Sequence, residues 1–166
     1  MGQGPSPTGR AAEPDEWRGR LLRVVKSMPA AAFERLAQRI LRESGFAKVE
    51  VTGRSGDGGI DGIGVLRIKL VSFHVLFQCK KYDDAVGAAA VRDFRGAMQG
   101  RTDKGLLITT GRFTADAKKE ATRVGALPID LIDGEQLCDL LKDLGIGVRT
   151  ENVERVAILP EVFADL

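Results

Sequence analysis

Cysteine, histidine and aromatic side chains are scarce in this chain of 166 residues. Cys79 and Cys138 stand far apart in sequence, neither in a CxxC pair nor beside a histidine at ligand spacing, and His74 is the sole histidine. That pattern argues against a zinc site and against a disulfide scaffold. Aromatics amount to 5% and are not interleaved with basic residues, so there is no signature of an RNA-stacking surface. No stretch approaches the roughly 18 apolar residues of a membrane span, and the first 30 residues hold no signal-peptide-like apolar run. The sequence therefore reads as a cytoplasmic chain with reduced thiols.

What is present fits one ordinary globular domain: 43% hydrophobic and 29% charged residues are enough to build a buried core at this length. The formal net charge of +2 conceals an asymmetry. Residues 1–123 carry 22 basic against 14 acidic side chains, and residues 124–166 carry 3 against 9. A basic body and an acidic tail are expected to form opposed surfaces, the tail facing away from any polyanion.

Residues 1–14 are rich in Gly, Pro and small side chains and read as a flexible leader. Trp17, Leu21, Leu22 and Val25 then recur at helical spacing. Ser27 and Pro29 signal a second helix, whose stripe is Phe33, Leu36, Ala37, Ile40 and Leu41, and Gly45 ends it. Val49 and Val51 alternate as a strand. The next segment, GRSGDGGIDGIG, places six glycines in 12 residues, which implies bends or close approach by a ligand. Residues 71–80 alternate, with Val71, Phe73, Val75, Phe77 and Cys79 on a core face and Ser72, His74, Leu76, Gln78 and Lys80 on the other. A helix marked by Val91, Phe94 and Met98 follows, then a buried strand (105–110), a helix through Ala117, Ala121 and Val124, and a strand at 128–132. Asp133 and Gln136 form a capping-box signature for the last helix. The order predicts a mixed α/β sheet covered by helices.

The constellation with the most chemistry is Asp61 in the glycine-rich segment, followed by Gln78 and Lys80 on one face of the next strand, roughly 6.5–7 Å apart. A carboxylate that holds a hard cation, beside a lysine, suits phosphodiester hydrolysis: the metal acidifies a bound water and offsets charge growing on phosphorus. The lysine stabilises the same charge or orients the water. Glu34 would add a second carboxylate if its helix packs over this strand end.

The runs FERLAQRILRESGF, VTGRSGDGGIDGIG, FQCKKY, VRDFRGAM, KGLLITTGRFT and IDLIDGEQL, in that order, resemble the catalytic domain of the Mrr family of restriction endonucleases, within the PD-(D/E)xK nuclease superfamily. The resemblance implies an αβββαβ restriction-endonuclease-like core over residues 15–148, with residues 149–166 as an acidic C-terminal extension. It implies Asp61 as metal ligand, Gln78 and Lys80 as a Q-x-K form of the (D/E)-x-K element, the Cys79 carbonyl as a further ligand and Glu34 as the glutamate of the first helix. It further implies magnesium, with manganese as a substitute, cleavage of double-stranded DNA and a role in restriction of foreign or methylated DNA. Members commonly carry an N-terminal winged-helix recognition domain that has no counterpart in this sequence, so target choice stays open. Gln78 brings an amide oxygen without charge, and weak metal binding coupled to DNA binding is expected.

Blander readings stand beside these. Asp61 in a glycine-rich loop is commonly a turn residue, and Asp57 competes with it as ligand. Lys80 with Lys81 also suits simple phosphate contact. His74 reads as structural, Cys79 as an inert core thiol, and Thr109 and Thr110 as strand-end hydrogen-bonding groups. For DNA contact the candidates are Arg54, Lys81, Arg92, Arg95, Arg112, Lys118 and Lys119. Cutting both strands needs two active sites, so a homodimer on DNA is expected. The alternatives are a catalytically weak DNA-binding module with the same fold, and a structure-selective nuclease such as a junction resolvase.

Overall fold

A computed structural model describes residues 16–54 and 60–164. The expected leader and Asp57 lie outside the described residues. Helices α1 (Glu16–Ser27) and α2 (Ala30–Glu43) lead into strands β1 (Phe46–Arg54), β2 (Ile60–Ile68) and β3 (Val71–Lys80). There follow β4 (Ala85–Val86), α3 (Ala88–Met98), β5 (Lys104–Thr109), β6 (Arg112–Phe113), α4 (Ala115–Ala121), β7 (Ile129–Ile132), α5 (Gly134–Asp143) and α6 (Pro160–Ala164).

The main sheet runs β1-β2-β3-β5-β7, antiparallel across its first two pairings and parallel across the last two. This is the mixed sheet that the residue pattern implies. Its two faces carry separate cores. On one, α1, α2 and α5 bring Val25, Phe33, Ala37, Ile40, Leu41, Leu137 and Leu141 onto Phe77, Cys79 and Ile108. On the other, α3 and α4 bring Val91, Phe94, Met98, Ala117 and Ala121 onto Leu76, Leu107 and Ile129. Parallel strands covered on both faces read as near-continuous apolar runs, as in residues 105–108.

Local signals account for most element ends. Asp133 accepts from the Gln136 N–H at 2.9 Å while the Gln136 side chain accepts from the Asp133 N–H at 3.0 Å, completing the capping box of α5. Thr114 caps α4 by accepting from the Ala117 N–H. Helix α2 departs from expectation: Pro29 occupies its N-cap without a side-chain bond, and the Ser27 hydroxyl donates back to the Val24 carbonyl. A second correction concerns β3. Val71 is 52% exposed and Phe73 36%, so the core face starts only at Val75. The outer half of the β2–β3 hairpin runs past the helices that bury the inner half.

Candidate active site

Asp61 is the second residue of β2 and Gln78 lies near the end of β3, and the antiparallel register sets them directly opposite each other. Directly opposed residues share a sheet face, and the Gln78 Nε2 donates to Asp61 Oδ1 at 2.7 Å. Lys80 ends β3 two residues further along the same face, so the three residues meet at one sheet end. All three are partly buried. The Asp61 backbone carbonyl accepts from Thr52 Oγ1 at 3.4 Å, across the β1–β2 pairing.

The Lys80 carbonyl accepts from the Thr110 N–H at 3.1 Å, on the β5 side. Successive carbonyls alternate along a strand, so that of Cys79 is directed to the β2 side, where Asp61 lies. One carboxylate, one side-chain amide and one backbone carbonyl make an oxygen-only donor set, which fits a hard divalent cation such as magnesium. Among the described residues no group of three or more His, Cys, Asp or Glu side chains gathers to hold a metal, in keeping with glutamine in place of an acid. The Cys79 side chain is no ligand: it faces the α2 core at 1% exposure, and burial, followed by the Asp61 charge, pushes the thiol up to about 12.

Glu34 is half-buried on α2, beside the buried Phe33. Helix α2 covers the sheet face opposite to that of Asp61, Gln78 and Lys80. Lys81 ties α2 to the end of β3, its ammonium donating to the Met28 carbonyl at 2.7 Å and lying 5.9 Å from the centre of the Phe33 ring. That contact engages a side chain expected on DNA. His74 is remote and sits against Asp103, which accepts from its N–H at 3.0 Å.

Arg95 corrects the expected DNA surface. It is 6% exposed, donates to Glu120 Oε1 and to the carbonyls of Glu120 and Leu127, and so braces α3 to α4 and the segment beyond it. Its place beside Phe94 on the inward side of α3 decides this, because an arginine turned inward needs a buried partner. Arg92, Arg112, Lys118 and Lys119 are exposed. Arg112 and Lys118 line a cavity of about 420 Å³ together with Lys26, Thr110, Asp133 and Glu135. Arg54 closes β1 opposite Ile60.

Sequence reasoning expected strand-end hydrogen bonds from Thr109 and Thr110 but missed their partners and the strand pair beside them. The short parallel pair β4–β6 joins the segments after β3 and β5, and the Thr110 hydroxyl bonds both backbone groups of Tyr82. The signal available was the pair Thr109–Thr110 followed by glycine at a strand end.

A mixed five-stranded sheet between helices, with an acid, an amide and a lysine converging at one end, is the arrangement of a restriction-endonuclease-type fold. Comparison with known families agrees: the profile of the Mrr catalytic domain, described as restriction endonuclease, matches residues 25–141, and the chain belongs to that family. It is 35% identical over 144 residues to the type IV methyl-directed restriction enzyme EcoKMrr of Escherichia coli K12, covering 84% of this chain and 45% of that protein. An uncharacterised mitochondrial protein of Schizosaccharomyces pombe is 36% identical over 92 residues, 52% of this chain and 37% of its own length. Among solved structures, the DNA modification-dependent restriction endonuclease AspBHI superposes with a TM-score of 0.64 at 27% identity, over 80% of this chain and 36% of its own. The MspJI restriction endonuclease, solved with a 27-mer oligonucleotide, shares the fold at 23% identity and a TM-score of 0.51, over 84% of this chain and 32% of its own. The chain thus spans less than half the length of these relatives. No described helix is long and apolar enough to cross a membrane.

Proposed function

We propose that this chain is a nuclease domain that hydrolyses phosphodiester bonds of double-stranded DNA with magnesium, manganese substituting, in restriction of foreign or methylated DNA. The observation that carries the reading is the Asp61–Gln78 pair, in register across β2 and β3, with Lys80 two residues on along the same face. Asp61, the Gln78 amide oxygen and the Cys79 carbonyl would hold the cation, which supplies an acidified water and offsets charge on the phosphate. Asp61 and Gln78 orient the site from two adjacent strands, so their spacing is fixed by the ladder. Lys80 stabilises the charge that grows on the phosphoryl oxygens or positions the attacking water. Glu34 adds negative charge from α2. Arg92, Arg112, Lys118 and Lys119, with Arg54, would meet the DNA backbone, and a homodimer would cut both strands. EcoKMrr is methyl-directed and AspBHI modification-dependent, and both support modified DNA as the substrate.

The test is incubation of matched methylated and unmethylated supercoiled plasmids with the protein, with magnesium and with EDTA. Nicking that requires magnesium and disappears in Asp61→Ala and Lys80→Ala is expected. Absence of nicking, or nicking that survives both substitutions, refutes the reading. The neutral Gln78, whose amide already bonds Asp61, favours one second reading, a DNA-binding module of weak activity. That module would bind plasmid with a steep salt dependence and cut under no divalent metal.

A further inference from the structure

We propose that Thr110 is a positioning residue for Lys80, a role that rests on the nuclease reading above. The pairing of β3 with β5 ends at Lys80 opposite Thr109, and ladder pairing resumes only where β4 meets β6 at Ala85. Thr110 takes over in between. Its N–H donates to the Lys80 carbonyl at 3.1 Å. Its Oγ1 accepts from the Tyr82 N–H at 2.8 Å and donates to the Tyr82 carbonyl at 2.9 Å. One hydroxyl thereby satisfies both backbone groups of a single residue, which only a group that donates and accepts at one atom does. Thr110 itself is 1% exposed.

Lys81 is tied to the Met28 carbonyl ahead of α2, Asp83 pairs with Lys26 at 3.2 Å and the Asp84 carbonyl accepts from the Arg112 N–H at 3.4 Å, and between them the Thr110 hydroxyl fixes the backbone of Tyr82 next to Lys80. Tyr82, Asp83 and Asp84 are all exposed, so apolar packing does not hold them. The turn that bears Thr110 is clamped from behind. Thr109 Oγ1 accepts from the Gly111 N–H at 3.0 Å, and the Gly111 carbonyl accepts from the Gly134 N–H at 2.9 Å at the start of α5. A Cβ on Gly111 would overlap the Asp84 carbonyl oxygen, and one on Gly134 would lie 2.5 Å from the Thr110 carbonyl oxygen. The turn therefore presses against the 80–84 segment from a fixed base. Lys80 is rooted between this staple and the Gln78 pairing, and a displacement of about 1 Å at such a root costs up to about 100-fold in rate.

The test compares Thr110→Val, which keeps the shape and loses the hydroxyl, with Thr110→Ser, which keeps the hydroxyl. Single-turnover plasmid nicking, duplex binding in EDTA, thermal unfolding and amide exchange of residues 80–84 are measured on each. Thr110→Val is expected to lose about 10- to 100-fold in the nicking rate constant, with duplex affinity within about 2-fold, and to exchange faster across 80–84. Thr110→Ser is expected to restore both. Cys138→Ala, buried in α5 with its thiol donating to the Arg18 carbonyl at 3.5 Å, serves as a variant of lowered stability and should nick at the wild-type rate constant. Lys80→Ala is run alongside. A Thr110→Val rate equal to wild type while Lys80→Ala is inert overturns the positioning role alone. Equal loss in Thr110→Val and Thr110→Ser, or a loss matched by Cys138→Ala at the same unfolding temperature, also overturns it. Unimpaired nicking by Lys80→Ala overturns the nuclease reading and the positioning role together. If Thr110→Val does not fold, Gly111→Ala replaces it, with the same faster exchange and lower rate expected and the same wild-type behaviour overturning the role.

Discussion

Gly62, the residue after Asp61, offers the sharpest check on how β2 is held. In the register it stands opposite Val51 on β1 and Phe77 on β3. A Cβ built there would overlap both the Phe77 ring and the Glu50 carbonyl oxygen. Neither yields easily: Phe77 is 0% exposed within the α2-side core, and the carbonyl belongs to the β1 backbone. Forcing a methyl group into a filled core costs about 1–3 kcal/mol, and a backbone obstacle puts Gly62→Ala at about 3. For a domain of this size about 3 kcal/mol lowers the melting temperature by about 6–12 °C. Gly53→Ala is the matched control. It lies opposite Asp61 on β1, and a Cβ there meets nothing within 4 Å. Its melting temperature should change by less than about 2 °C, as surface substitutions do. Thermal unfolding of the three proteins decides the matter, and plasmid nicking by the folded Gly62→Ala should fall because β2 carries Asp61. A Gly62→Ala melting temperature within 2 °C of wild type would refute the close packing of β1, β2 and Phe77.

Removing Arg95 should destabilise the fold by about 3 kcal/mol, the low end for breaking a buried pair, since Arg92 and Arg123 lie 3.8 and 3.7 Å from Glu120 and partly replace it. Urea unfolding of Arg95→Ala checks this, with a loss under 1 kcal/mol counting against the brace. For Cys79 the folded thiol keeps its proton to about 12 against an ordinary 9.0. The unfolded chain loses that proton first, so the contribution is whole below pH 9 and declines as pH rises toward 12, by at most about 1.4 kcal/mol per unit. Urea unfolding between pH 8 and 10 should therefore fall more steeply for wild type than for Cys79→Ala, and equal slopes would refute the burial argument. Gln78→Glu sets two carboxylates opposite each other and should cost roughly 1 kcal/mol in EDTA, a melting drop of about 2–4 °C. Magnesium should reverse that drop with a larger thermal shift than in wild type, and an unchanged shift would count against the oxygen donor set.

Elements fixed by local chemistry were legible in the sequence. The stripe Phe33, Ala37, Ile40 and Leu41 forms the buried face of α2, and Asp133 with Gln136 caps α5 as their spacing implies. Asp61, Gln78 and Lys80 were grouped from sequence, but the glycine-rich segment hid the strand that carries Asp61, and its register opposite Gln78 comes from the β2–β3 pairing. What depends on partners distant in sequence was not. Arg95 lies among exposed-looking cations, and only the α3–α4 packing puts Glu120 over it. Val71 and Phe73 alternate as well as Val75 and Phe77, yet the pattern does not say where the covering helices stop. The Thr110–Tyr82 bond joins residues 28 apart and follows from β3 and β5 ending together.

The charge asymmetry acquires a different meaning once the acids are located. Asp139 bonds Arg18 and joins α5 to α1, Asp130 pairs with Lys104 across β7 and β5, and Glu151 pairs with Arg149. Each of these carboxylates is thus engaged by a neighbouring cation. Asp133 and Glu135 behave otherwise, because they line the same cavity as Lys26, Arg112 and Lys118. The acidic segment meets basic side chains at several points, among them the start of α5 beside the strand ends. Asp133 is committed there by its cap on α5, so its charge is held in place by helix chemistry. An arriving phosphate is repelled at the α5 start and attracted by Arg112 and Lys118 next to it. On the proposed reading, that local contrast would matter more to a DNA backbone than the sum over the chain.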